Sequence, residues 1–268
     1  MNINKILKKA TQFLWQDELN QLKTSKNKIK TLNALNTKLK NEVIDNEDWE
    51  LSEKLIKKYP AVEIYYPGRT FPNSTKTCSV PVNVLITKND PKIIDDLKSW
   101  GFYNSTEDWE TLIPKVYAKI HEVYYRYATD MKVWGKSEIW EFPFELFRKY
   151  QGTKISADCD SWAQLQVSYY RALGLPAGFV WVVVGNCSLG GHSTVYVYSK
   201  KDKKFHHLNS TYGTIYKHIS DYPLHSDAKT DTNNGRDYLG IYNVWMSFND
   251  LVARSTFKNK EIAKFLEE

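Results

Sequence analysis

The rhythm of apolar and polar residues changes along the chain. Residues 1–57 contain neither Gly nor Pro and are rich in Lys, Asn, Leu and Glu, which predicts helix with one or two breaks. A heptad can be laid from Leu22, with Leu22, Ile29, Asn36 and Val43 at one seam position and Ser25, Leu32 and Leu39 at the other. That seam is short and impure. It suits either a short coiled coil that joins copies or docks a partner, or a helical hairpin packed on its own domain. Next come Pro60, Pro67, Pro72 and Pro81 among β-branched and aromatic runs, the pattern of short strands or an extended connector.

Helical period returns at "DPKIIDDLKSWGF", and "STEDWETLIPKVYAKIHEVYYRYATDM" predicts a long amphipathic helix opened at Ser105. Its apolar stripe is Trp109, Ile113, Val116, Ile120, Val123, Tyr124 and Tyr127. A further helix carries Trp162, Leu165, Tyr169 and Leu173 on one face and stops at Gly174 and Pro176. Then "GFVWVVVGN" has the length and composition of a buried strand, and "GGHSTVYVYS" alternates as a second. "KKFHHLNST" is a third, with Phe205, His207 and Asn209 on one face and His206 on the other. Helices followed by an antiparallel sheet predict an α+β fold: a helical extension over 1–57 and a domain over 58–268 with its core at about 105–212.

Composition refines this picture. An apolar fraction of 42% with 25% charged residues is that of a folded globular chain. No run approaches the roughly 18 apolar residues that a bilayer helix needs, so no membrane span and no cleaved signal are expected, and a cytoplasmic location follows. Cys78, Cys159 and Cys187 have no C-x-x-C spacing, which argues against a disulfide framework or a zinc site, and no metal or cofactor is expected. The formal charge of +6 resides in residues 1–43, where nine Lys face only Asp17, Glu18 and Glu42. These lysines read as a solvated helix face, with an acidic partner or nucleic acid as the alternative.

The candidate chemistry centres on "ADCDSWAQLQ". Cys159 opens a helix, where the dipole and free N–H groups favour a thiolate and can hold a developing oxyanion. A thiol nucleophile needs an imidazole to take its proton and a third group to orient that ring. His192, after Gly190 and Gly191, and Asn209, near the end of the next strand, supply one of each in order. Asp158 and Asp160 read as helix-start carboxylates whose charge raises the thiol pKa. His207 is a rival base, Cys187 a potential redox partner of Cys159, and Cys78 inert. The segment "HSDAKTDTNNGRDYLG" reads as a connector or a lid.

These motifs resemble the transglutaminase-like branch of the papain-type cysteine peptidase superfamily, in its bacterial and phage form. The matching stretches are Asp158-Cys159-Asp160-Ser161-Trp162-Ala163, Arg171 through Ala177, Gly190-Gly191-His192 and Leu208-Asn209-Ser210-Thr211, with the lead-in "YRYATDMKVWGKSEIWEFPFEL". Asn209 stands where many members have Asp, and Ala157 where a Gly often precedes the Asp-Cys pair. The resemblance implies a nucleophile helix packed on an antiparallel sheet, and Cys159, His192 and Asn209 as catalytic residues. It further implies an oxyanion donor or site-supporting role for Trp140, Gln151 or Asp160, and acyl transfer on amide bonds of a protein or peptide through a thioester. Hydrolysis is the preferred outcome over cross-linking or deamidation. The competing expectation is a structural or interaction protein, such as a phage virion component, that keeps the fold with a disused site.

Overall fold

The computed structural model describes residues 47–70, 77–136, 138–211, 214–228, 240–257, 264 and 266. The heptad at 22–43, the N-terminal lysines, and most of the lid segment lie outside them. The chain divides into two compact units, Met1–Glu50 and Leu51–Glu268. No helix among the described residues is long and apolar enough to cross a membrane.

Mixed helix and sheet make the second unit an α+β structure. Its centre is a five-stranded antiparallel sheet built from β5 (Val180–Cys187), β6 (Gly190–Ser199), β7 (Lys204–Leu208), β8 (Asn243–Phe248) and β9 (Ala253–Ser255), in the order β7-β6-β5-β8-β9. The three consecutive strands read from the sequence are therefore adjacent hairpin partners. The run Val180–Val184 is continuously apolar because β5 is the central strand and these five residues are buried. Two small ladders lie outside this sheet: β1 (Tyr65–Thr70) antiparallel to β2 (Thr77–Pro81), and β3 (Tyr125–Tyr127) parallel to β4 (Ile155–Ala157).

Helices cover the sheet. α1 (Pro91–Ser99) starts on Asp90, whose carboxylate accepts the Lys92 N–H, with Pro91 in the first-turn position that needs no N–H. α2 (Trp109–Val123) starts in the same way on Asp108, not at Ser105, and buries Leu112, Ile113, Val116, Tyr117 and Ile120. The predicted helical stripe overran its end. Residues 125–127 leave the helix to pair with 155–157, so Tyr127 is exposed on a strand. Two short helices follow, α3 (Asp130–Trp134) and α4 (Pro143–Lys149). α5 (Cys159–Ala172) is buried over its whole length from Asp160 to Arg171, against β5 and β6 and the helices α1, α2 and α4.

The sheet is anchored at its far side by Arg254 on β9. Its guanidinium lies 4.3 Å from the Trp181 ring and donates to the Leu55 and Ile56 carbonyls at 2.8 Å, at the end of the helical segment 51–57. At the other end of β5, Gly185 permits β8 to bulge inward. A Cβ there would sit 2.1 Å from the Asn243 carbonyl oxygen. Gly185 also pairs with His192. Gly185→Ala should therefore cost about 2 kcal/mol or more through backbone displacement, read as a lower midpoint in urea denaturation, while Ala at the exposed Ser188 should leave the midpoint unchanged.

Candidate active site

Three elements deliver the three predicted side chains. Cys159 is the first residue of α5 and partly exposed, set there by β4, whose parallel pairing with β3 fixes where the chain turns into the helix. Trp162 locks that turn by donating its indole N–H to the Ala157 carbonyl at 3.1 Å. His192 lies near the start of β6, beside the exposed hairpin tip that Leu189 and Gly190 form. Gly190 has φ +120°, a conformation that a side chain would strain. The contact joining helix and strand is the Ser193 backbone N–H, which donates to the Cys159 sulfur.

Asn209 follows β7 directly and is held from several sides. The Tyr117 hydroxyl of α2 donates to its carbonyl oxygen at 2.8 Å. Ser210 donates from its backbone to Thr194 Oγ1 at 3.3 Å and from its hydroxyl to the Ser193 carbonyl at 2.7 Å, stitching the segment onto β6 next to His192. Asn209 Oδ1 accepts from the Thr211 N–H at 3.0 Å and the Thr211 hydroxyl at 3.2 Å. The side chains of Asn209 and His192 meet within hydrogen-bonding reach.

The electrostatics keep this group uncharged. Burial pushes the Cys159 thiol well above its ordinary value, the charges of Asp160 and Asp158 push it further, and the Ser193 N–H works the other way. Burial likewise pushes His192 down to about 4, opposed by the contact with Asn209. The helix start alone therefore does not deliver a thiolate.

The remaining sequence candidates are placed as follows. Trp140 is sandwiched between Tyr66 and Phe248, with ring centroids 5.1 and 5.9 Å away, and donates its N–H to the Glu138 carboxylate. Gln151 lies exposed in the turn between α4 and β4. Asp160 is buried and accepts from the Ser161 hydroxyl at 3.1 Å. His207 is buried against Thr194, with Nε2 and Oγ1 2.8 Å apart. That contact makes it a support of the β6–β7 pair. Cys159 and Cys187 are both free thiols. The side chain of Cys78 is outside the described residues.

One feature of the site was missing from the sequence reading. Asp130, the first residue of α3, joins Asp158 and Asp160, and one carboxylate oxygen from each lies within 4.8 Å of the other two. Asp130 Oδ1 and Asp158 Oδ1 are buried without a hydrogen-bond donor. Among the described residues this is the group that could hold a metal ion, and its all-oxygen donor set fits a hard cation such as Ca²⁺ or Mg²⁺ better than Zn²⁺. The only sequence signal was Asp130 inside the lead-in to the cysteine. Sequence spacing could not show it, because the third carboxylate arrives from a separate helix.

No family model matches the sequence, and no curated protein matches it. Among solved structures, Legionella pneumophila LapG in a calcium-bound form is similar at 18% identity and a TM-score of 0.40, over 62% of this chain and 75% of that one. A second LapG structure gives 15% identity and a TM-score of 0.41 over 69% and 92%, and an EGTA-treated form gives 16% and 0.40 over 69% and 94%. Likeness at that identity and superposition adds nothing to the reading of individual residues.

Burial and mutual repulsion push the carboxyls of Asp130, Asp158 and Asp160 above the usual range. Groups raised in this way bind protons more tightly folded than unfolded. Stability in the absence of a cation should thus fall as the pH rises through and beyond the ordinary carboxylate range toward neutrality. Asp130→Asn removes one of the three charges and keeps the shape. In EDTA at neutral pH it should raise Tm by roughly 2–4 °C, about 1 kcal/mol, in calorimetry. A lowered Tm would show the cluster is not strained.

Proposed function

We propose that the protein is a cysteine-dependent acyl-transfer enzyme, acting hydrolytically on amide bonds of a protein or peptide. The reading is supported by the Ser193 N–H on the Cys159 sulfur, which brings the helix-start thiol to β6 one residue along the chain from the buried His192, and by the contact of His192 with Asn209.

In this reading His192 takes the thiol proton as Cys159 Sγ bonds to the substrate carbonyl carbon. Backbone N–H groups at the start of α5 receive the oxyanion, a contribution on the order of 3 kcal/mol per donor. The C–N bond then breaks as His192 returns the proton to the leaving amine, which leaves a thioester on Cys159. Water attacks the thioester with His192 again taking a proton, and the carboxylic acid leaves as the thiol is restored. Asn209 orients the ring throughout. Leu189, Gly190 and Gly191, exposed beside His192, offer an open approach for an extended chain.

Asp130, Asp158 and Asp160 would hold a hard divalent cation, for which Ca²⁺ is the first choice given carboxylate ligands alone. Bound there, it supplies positive charge beside the thiol and offsets the carboxylates that otherwise oppose ionisation.

Two measurements test these statements. With a reduced, alkylated protein as substrate and Ca²⁺ present, the wild type should release peptides, Cys159→Ser should release none, and His192→Ala should be slower by about 10²–10⁴. Equal digestion by wild type and Cys159→Ser would end the enzyme reading. Separately, Ca²⁺ at about 100 times its dissociation constant should stabilise the wild type by about 2.7 kcal/mol in thermal unfolding, and Asp130→Asn should lose most of that gain. An unchanged Tm with Ca²⁺ would remove the cation from the proposal.

A further inference from the structure

Strand β6 outruns its neighbour β7. The last pair between them is Val195 with Leu208, and beyond it the Ser193 carbonyl is taken by the Ser210 hydroxyl at 2.7 Å. Gly191 lies two residues further out and exposed, with no described strand beside it. Its backbone faces that open side. Gly191 is opposite Asn186 on β5, and the Asn186 carbonyl turns away from β6 to accept the Tyr242 N–H at 3.0 Å, which makes this a pair without hydrogen bonds between its members. The Gly191 N–H and C=O therefore point off the sheet edge, in line with those of Ser193 about 7 Å along the strand. The Ser193 N–H meets the Cys159 sulfur.

A bulge brings an aromatic ring to the same place. In β8, Met246 pairs with Val184 and Val244 with Gly185, so Trp245 is the extra residue. Thr256 holds the bulge: its N–H donates to the Trp245 carbonyl at 2.9 Å, and its hydroxyl reaches the Val244 and Trp245 carbonyls at 2.7 and 3.0 Å. Trp245 is half-buried, and its six-membered ring lies 3.5 Å from where a Cβ on Gly191 would sit. Glycine leaves that space open. Neither 185–199 nor 240–249 contains Asp, Glu, Lys or Arg.

We infer that the open edge of β6 at Gly191 takes an extended peptide as an added strand, and that Trp245 determines specificity by packing against the substrate side chain opposite Gly191, which must be apolar. In such a pair the facing side chain stands about 4.5–5.5 Å from the empty Cβ position, within reach of the indole. A carboxylate there would lose water and face the negative π cloud of the ring. The added strand ends where Ser210 fills the Ser193 carbonyl, so the peptide passes the sulfur within one or two residues of the apolar side chain. For turnover the inference rests on the enzyme reading above; for binding it does not.

The test is a titration of nitrogen-15 protein in the Cys159→Ala background, which leaves the peptide uncut, followed at the Gly191 amide. That signal is assigned by its loss in Gly191→Ala. The probes are acetyl-Ala-Ala-Leu-Ala-Ala-amide and the same peptide with Asp in place of Leu. The Leu peptide should shift the Gly191 amide to saturation, and the Asp peptide should bind at least about 10-fold more weakly. Trp245→Ala should bring the two affinities together, while Trp245→Phe keeps the order. A Gly191 amide that moves with neither peptide overturns the inference. Equal affinity for the two peptides before any change at Trp245 removes the specificity role, and that comparison does not depend on a Trp245 variant folding. Binding at Gly191 without peptide release by the wild type ends the enzyme reading and leaves the strand site standing, whereas release without a Gly191 shift does the opposite.

Discussion

A helix enclosed on every side gains most where its polar side chains find partners, and α5 finds several in the rest of the domain, although the Gln164 amide and the Tyr170 hydroxyl are buried without a hydrogen-bond partner. Ser168 receives the Thr87 N–H at 2.9 Å, and Gln166 donates to the Ser210 carbonyl at 3.3 Å. Arg171 pairs with Asp250, which Lys88 also reaches at 2.9 Å. Tyr169 donates to Asp96 at 2.6 Å, and Tyr124 donates to the same carboxylate oxygen. Each bond ties α5 to a different part of the chain. Because unpaired polar groups in so dry an environment are expensive, these ties set the rotation and axial position of the helix closely. Cys159 stands at its tip, so its place against β6 follows from contacts made well away from it.

The same enclosure explains the chemistry of the site. Dry surroundings favour the uncharged forms of thiol and imidazole alike, and they also strengthen any charge or hydrogen bond aimed at a reacting centre. An ion pair of thiolate and imidazolium needs more than proximity there. Asp158 and Asp160, next to the nucleophile, oppose it, and the amide at Asn209 does not offer the charge that a carboxylate would. A cation among Asp130, Asp158 and Asp160 would act in the direction of ionisation on groups already fixed by the fold, with no rearrangement of the sheet.

Elements with a strong local signal were legible in the sequence. Continuous apolar Val180–Val184 and alternating Ser193–Tyr198 named two strands, and Gly174 and Pro176 marked the stop of α5. Where two local signals compete, the reading slipped. Tyr124 and Tyr127 continue the helical period of α2, yet pairing with Ile155–Ala157 draws 125–127 into a strand, a contact about 30 residues away that no local period records. Trp140, for which the resemblance implied an oxyanion-donor or site-supporting role, stacks between two aromatic neighbours and donates to Glu138, since an indole shows its hydrophobic face and its N–H alike in sequence.

By itself, then, the sequence determined the residue types and their order: a cysteine at a helix start between two aspartates, a histidine after a glycine pair, an asparagine after a strand, and the periods that make helices and strands. Those follow from interactions within a few residues. Tertiary structure decided everything that depends on distance across the fold. It brought Asp130 to Asp158 and Asp160, set the Ser193 N–H on the sulfur, and buried the site deeply enough to leave thiol and imidazole neutral. Local sequence carries no record of such meetings, because desolvation and Coulomb terms depend on which groups the packing encloses together.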